Sequence, residues 1–337
     1  MSIKQILKTI SYSFLFFLAM AVGFLIYFNW PVATENKEAK LGVTFSHRYA
    51  EDIGLDWRET YLAMLDDLKV RKIRIPIYWD LVEREDGQYD FSDIDWQLEE
   101  AAKRKGEIIL VVGQKVPRWP ECFIPEWAAG DDINRKNKLL NFIETSVNRY
   151  RNHPAVKYWQ VENEPFLLFG ICPEFDKNFL DREIAVVRMA DPTRQIIVTD
   201  SGELSLWVRA AKRADIFGTT LYRTIWKEGL GYFDYPIGPR FFQFKYWLNK
   251  IVVNKDQAIV IELQAEPWIS GWTTSGSLEE QFKSMNPEKL RENVIFARQV
   301  GFPEIYLWGV EWWYWLKIEK NHPELWETAR ELFRDNL

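Results

Sequence analysis

From position 41 onward the chain alternates short, nearly continuous apolar runs with segments whose apolar residues recur every three or four positions. The runs are Leu41 to Phe45, Lys72 to Ile77, Glu107 to Val112, Val156 to Val161, Gln195 to Thr199, Ile216 to Tyr222, Ala258 to Leu263 and Glu304 to Trp308. Such runs read as strands buried on both faces. Between them Tyr61, Leu65 and Leu68 share one helical face, as do Ile94, Leu98 and Ala102, and Leu139, Ile143, Val147 and Tyr150. Leu204, Trp207 and Ala211 repeat the pattern, and so do Leu290, Val294 and Ala297. Ser92 or Asp93 opens one helix and Gly106 follows its end. Buried strands alternating with amphipathic helices imply an α/β fold with a parallel sheet, because parallel strands need long crossovers. Eight such units suggest a closed (β/α)8 TIM barrel. The stretches 226–239 and 270–277 are expected as loops.

The N-terminal pattern differs. Lys4 and Lys8 precede an apolar run from about Ile10 to Trp30, and a run of about 20 apolar residues crosses a bilayer core. A secretory signal has a shorter apolar region followed by small residues at a cleavage point, whereas this run exits through Asn29, Trp30, Pro31, Val32 and Ala33. An uncleaved transmembrane helix is therefore expected, with the lysines inside and the rest of the chain outside. This divides the chain into an anchor or uncleaved signal over 1–33, a polar linker over 34–40 and one catalytic domain over 41–337.

Of the 337 residues, 47% are hydrophobic and 27% charged, which suits a large folded core. The net charge is -6 and no basic cluster stands out, which removes nucleic acid as a partner. There are 17 Trp and 14 Tyr, an excess of flat amphipathic rings that points to a ligand surface. Cys122 and Cys172 are the only cysteines; they fit neither a disulfide framework nor a metal knuckle, and their spacing leaves their pairing open.

A barrel of this type builds its site at the carboxyl ends of its strands. The fourth run ends in YWQVENEPF, with Glu162, Asn163 and Glu164; the seventh ends in Glu262, with Glu266 just beyond. These strands lie nearly across the barrel mouth, so their carboxylates can converge on one molecule. Two carboxyls about 5 to 5.5 Å apart are what retaining glycoside hydrolysis requires. The acid of such a pair must hold its proton near neutral pH, which Trp159, Phe166 and a neighbouring carboxylate can promote; the nucleophile needs a cation and a phenol beside it.

The chain resembles the clan A glycoside hydrolases, (β/α)8 retaining enzymes, over about residues 41–337. Asn163, Glu164 and Pro165 match the family's Asn-Glu-Pro, and IVIELQAEPW is similar to its nucleophile strand. The resemblance implies Glu164 as acid/base, Glu262 as nucleophile and Asn163 as the residue binding the sugar 2-hydroxyl. Arg74 in KIRIPIYW resembles the arginine that supports the nucleophile, Tyr222 the tyrosine bonded to it, and Trp308 in YLWGVEWW the platform under the sugar. WDLVEREDGQYDFSDID is similar to a loop of families acting on β-galactosides or plant polysaccharides. No metal or organic cofactor is implied.

Several residues carry a bland alternative. Glu162 is expected in a salt bridge on the rim, and Glu266 is a rival nucleophile. Arg74 could only balance charge within the barrel. His47 could bind sugar hydroxyls or pack at the rim. Trp79, Trp119, Trp268, Trp312 and Trp313 follow strand ends, where each alone suits packing and the set suits a carbohydrate groove. Asp200 and Glu203 receive no role. The expected function is retaining hydrolysis of a β-linked oligo- or polysaccharide; the alternatives are an inactive carbohydrate-binding surface protein and a transglycosylase on the same fold.

Overall fold

A computed structural model describes residues 3–334. Its strands are β1 (Lys40–Thr44), β2 (Lys72–Pro76), β3 (Glu107–Val112), β4 (Val156–Val161), β5 (Ile196–Asp200), β6 (Ile216–Leu221), β7 (Thr224–Lys227), β8 (Gly231–Asp234), β9 (Ala258–Gln264) and β10 (Glu304–Trp308). Eight of them close a barrel in the order β1-β10-β9-β6-β5-β4-β3-β2, every neighbouring pair parallel. The fold is the expected TIM barrel, and each barrel strand lies within one residue of its predicted bounds.

Alternation along the strands separates two cores. On β4, Trp159 and Val161 point out into the large cluster shared with the helices, while Tyr158 packs inward against Ile109, Ile197, Ile216, Ile259, Ile261 and Tyr306. Above this inner layer the inward positions turn polar: Thr44, Arg74, Gln160, Thr199 and Thr220 are all buried. Hydrophobic side chains thus plug the bottom of the barrel and polar ones line its upper end.

Strand β9 breaks the alternation at one place. Val260 pairs with Ile305 and Leu263 with Leu307, so β9 carries one residue more than β10 between these points. On its other side Thr219 pairs with Val260 and Thr220 with Glu262. The extra residue lets Ile261 and Glu262 depart from strict alternation between the outward Val260 and Leu263, the way a bulge re-aims a side chain beside a site.

Among described helices of ten residues or more, the periodicity misses Lys177–Ala190, Pro239–Val253, Val310–Glu319 and Glu324–Arg334. Val310 to Leu316 are all buried, so that helix has no polar face to mark it. The expected helix through Leu204 is a single turn, Val208–Ala211, preceded by Trp207 in the left-handed region at φ 67°. The stretch expected as a loop after the sixth strand contains the antiparallel pair β7 and β8, turned through Gly229 and Gly231 at positive φ.

The helix Ile3–Phe28 is long and apolar enough to cross a membrane, and none of its most apolar window is buried. Its last turn meets the barrel: the Phe28 ring lies 5.4 Å from Phe241 and 5.7 Å from Phe244. Asn29 donates its amide to the Pro236 carbonyl at 3.0 Å.

Gly42 supplies a direct test of the inner packing. A Cβ there would stand 2.6 Å from the Lys72 carbonyl oxygen and 2.8 Å from the Tyr306 ring. Gly42→Val is expected to lower stability by about 3 kcal/mol or more through overpacking, read as the midpoint of urea unfolding.

Candidate active site

Arg74 is fully buried at the centre of the upper barrel. Its Nε donates to Gln160 Oε1 at 2.8 Å, Nη1 to Glu262 Oε1 at 2.6 Å, and Nη2 to Asn163 Oδ1 at 2.6 Å. One guanidinium therefore fixes side chains carried by β4, by the turn after β4 and by β9. Tyr222, one residue past β6, donates its hydroxyl to the other oxygen of Glu262 at 3.1 Å. Burial and the charges of Glu262 and Glu164 push its phenol well above the ordinary tyrosine range, so it stays a donor.

Glu164 sits in the tight turn after β4, at φ 41°. Its backbone N–H donates to Thr199 Oγ1 at 2.8 Å, and its Oε1 accepts from Thr220 Oγ1 at 3.1 Å. Burial pushes its carboxyl well above the ordinary range, and the charges of Glu262 and Glu121 push in the same direction. The environment of Glu164 thus favours its protonated form, whereas Glu262 is held by a cation and a phenol. Both line one cavity of about 780 Å³.

Aromatic and ionic groups wall this cavity. Trp308 ends β10 and donates its indole N–H to Glu266 Oε1 at 2.7 Å. The Arg118 guanidinium lies over the Trp308 ring at 4.2 Å and pairs with Glu266 at 2.5 Å and with Glu311 at 2.7 Å. Glu266 therefore sits in the cleft as part of an ion network, with its Oε2 lacking a hydrogen bond. Trp268 meets Tyr222 edge-to-face at 5.2 Å, and Trp119 stands half exposed at the mouth.

The fold brings Glu164, Glu262, Asn163, Arg74 and Tyr222 into one connected set, with Trp308, Trp119 and Trp268 in the surrounding walls. Asn163 and Arg74 belong to the buried hydrogen-bonded set and, like His47 and Trp79, are not among the residues lining the cavity. His47 is buried against Trp57 and Tyr78, and burial, with Arg48 nearby, lowers its imidazole to about 4. Trp79 is buried on the Phe142 ring and donates to Glu83 at 2.7 Å. Trp312 and Trp313 are likewise core residues, donating to Gln281 and to the Ala265 carbonyl. Glu162 does not form the expected salt bridge: its carboxyl accepts the backbone N–H groups of Gln114 at 2.9 Å and Lys115 at 2.7 Å.

Glu121 escaped the sequence reading. It lies in the loop after β3, accepts from Asn163 Nδ2 at 3.2 Å and lines the cleft. Burial pushes it up to about 8, helped by the charge of Glu262. Glu203, given no role from sequence, also lines the cleft; its Oε1 accepts the Tyr222 N–H at 3.0 Å, and burial raises it to about 7. A lone acid in an irregular loop has no spacing signal that would single it out.

The family described as "Glycosyl hydrolases family 2, TIM barrel domain" matches residues 118–228, a stretch that carries Asn163, Glu164 and Tyr222. Among solved structures, the β-galactosidase from Bacillus circulans sp. alkalophilus aligns over 88% of this chain and 55% of its own, with TM-score 0.58 and 12% identity. The polyextremophilic β-galactosidase from the haloarchaeon Halorubrum lacusprofundi aligns over 80% and 52%, with TM-score 0.54 and 15% identity. A GH10 endoxylanase retrieved from sugarcane soil metagenome aligns over 81% and 86%, with TM-score 0.56 and 13% identity. The barrel is similar in fold to those of these glycoside hydrolases, and one glycoside hydrolase family model matches part of it. The barrel spans little more than half the length of the two β-galactosidases, and at these identities the likeness is one of fold. No curated protein matches the sequence.

A disulfide joins Cys122 to Cys172, resolving the pairing that spacing left open. It ties the loop of Arg118, Trp119 and Glu121 to the loop that follows Glu164. Closing a loop of this separation, 50 residues, restricts the unfolded chain by about 4 kcal/mol. The double variant Cys122→Ser, Cys172→Ser is expected to lower the thermal midpoint and to raise KM more than it lowers kcat, measured side by side with the parent.

Proposed function

We propose that this chain is a retaining glycoside hydrolase acting on a β-linked glycan, with Glu262 as nucleophile and Glu164 as acid and then base. The observation that carries the proposal is the contrast between the two carboxyls of one cleft: Glu164 is pushed well above the ordinary carboxylate range by burial and by neighbouring carboxylates, and Glu262 is gripped by Arg74 and Tyr222. Unlike environments divide acid from nucleophile.

In the first step Glu262 attacks the anomeric carbon while Glu164 transfers its proton to the departing oxygen, leaving a glycosyl ester on Glu262. In the second, the Glu164 carboxylate takes a proton from water, which attacks the same carbon and frees Glu262. Asn163, positioned by Arg74, binds the sugar 2-hydroxyl, and Trp308 forms the floor of the sugar site. Trp119 and Trp268 offer ring faces to neighbouring units. The similar structures include β-galactosidases, an endoxylanase and an endo-1,4-β-D-mannanase, which supports a β-linked substrate.

Residues 1–33 act as a membrane anchor, 34–40 as a linker and 41–337 as the catalytic domain, held outside the cytoplasm. The disulfide supports this placement, since such bonds persist in oxidising compartments.

Glu164→Ala and Glu262→Ala are each expected to lower kcat/KM on an unactivated β-glycan by about 10²-fold or more. With an aryl glycoside whose leaving group needs no proton, Glu164→Ala should recover much of the first step while Glu262→Ala stays inactive. Unchanged turnover in both variants, or loss in Glu266→Ala alone, would remove the assignment.

The pH profile supplies a further test. Activity needs Glu164 protonated, so kcat/KM falls on the alkaline side as that proton is lost. Glu121, at about 8, adds a negative charge nearby as it ionises and so helps Glu164 keep its proton. Glu121→Gln removes that charge, and the alkaline limb is expected to move to lower pH.

A further inference from the structure

The helix Pro239–Val253 carries apolar residues on its outer face as well as its inner one, unlike an ordinary barrel helix. Such a helix normally buries its apolar stripe and turns charge to solvent. This one buries Phe242 together with Lys245 and Asn249, and the two polar side chains find partners in the Gly202 and Leu206 carbonyls. It exposes Trp247 at 54%, Ile251 at 61% and Val252 at 52%. With Phe244 these residues recur at helical spacing and form one outward stripe.

The stripe is continuous with the apolar N-terminal helix. Phe28, at the end of that helix, packs on Phe244, and the Phe244 ring lies 5.7 Å from Trp247 in a tilted contact. Arg240, at the start of this helix, lies over the Tyr27 ring at 5.6 Å and donates to the Trp30 carbonyl at 3.1 Å. Where the anchor leaves the hydrocarbon, the chain thus presents Trp30, Arg240, Trp247 and the exposed Lys250 together. Indole rings and basic side chains on apolar stems are the groups that settle at a membrane interface.

We propose that the outer face of the helix Pro239–Val253 lies on the phospholipid surface, as a second contact that seats the barrel against the membrane. The proposal rests on the reading of Ile3–Phe28 as a membrane span and deepens it. From Phe244 to Ile251 the helix advances about 10 Å, so an anchor whose last turn is fixed to Phe241 and Phe244 holds Trp247 and Ile251 near the headgroups. The catalytic domain is then held in one orientation and does not swing on a free tether.

The test places a thiol-reactive environment-sensitive fluorophore at single positions of the full chain, reconstituted in phosphatidylcholine–phosphatidylglycerol vesicles. The positions are Trp247→Cys, Ile251→Cys, Phe17→Cys within the anchor, and Glu99→Cys on the helix Ser92–Lys103, which joins the two strands across the ring. Each is read with a nitroxide carried on lipid chains and with iodide in the water. The expected result is lipid-phase quenching and blue-shifted emission at 17, 247 and 251, and iodide quenching at 99. Lipid quenching at 17 with iodide quenching at 247 and 251 would leave the anchor standing and overturn the second contact. Iodide quenching at 17 with lipid quenching at 247 and 251 would remove the span and keep the surface contact. Shielding of 247 and 251 from both quenchers would assign the stripe to a second protein surface and overturn the proposal.

Discussion

A buried guanidinium organises the upper end of this barrel. Arg74 is wholly removed from water, and an uncompensated charge there would cost several kcal/mol. The compensation comes from Glu262, Gln160 and Asn163, each delivered by a different position on β4, β9 or the turn after β4. The aim of those side chains is therefore a condition of burying the charge, and the bulge in β9 is what brings Glu262 within reach. Strand register, the apolar plug below and the orientation of the polar set above are coupled through this one residue.

The same arrangement separates the two carboxyls electrostatically. Glu262 has a cation on one oxygen and a phenol on the other, whereas the contact of Glu164 is the Thr220 hydroxyl. Adding negative charge to the cleft at Glu121 strengthens the hold of Glu164 on its proton. Arg118 meanwhile bridges Glu266 and Glu311 and lies on the Trp308 ring, so the two acids beside that ring share one cation. Two ion networks, one around each of two arginines, thus divide the floor of the cleft.

Much of this was legible in the chain itself, for a physical reason. Parallel strands covered on both faces must be nearly continuous apolar runs, so the barrel strands stood out to within a residue, and their ends located Glu164 and Glu262. What the sequence hid depends on contacts between distant segments. A run such as AIVIEL carries no mark of the bulge that turns Glu262 inward. The helix Val310–Glu319 is buried nearly all round and so lacks a periodic face. Glu121 gains its character from burial beside Asn163 and Glu262, and Trp79 and His47 look like rim residues until packing places them in the core. Glu162, two residues before Glu164, spends its carboxyl on two backbone N–H groups.

With Glu262 as the proposed nucleophile, turnover passes through a covalent glycosyl ester on its carboxyl. Incubating the chain with activated 2-deoxy-2-fluoro β-glycosides slows breakdown of such an ester, so that intact mass and peptide mapping can locate it. A single added glycosyl group on the peptide that contains Glu262, absent in Glu262→Ala, is the predicted result. Turnover of a β-glycoside with no adduct from its fluorinated counterpart, or an adduct mapped to Glu266, would contradict it.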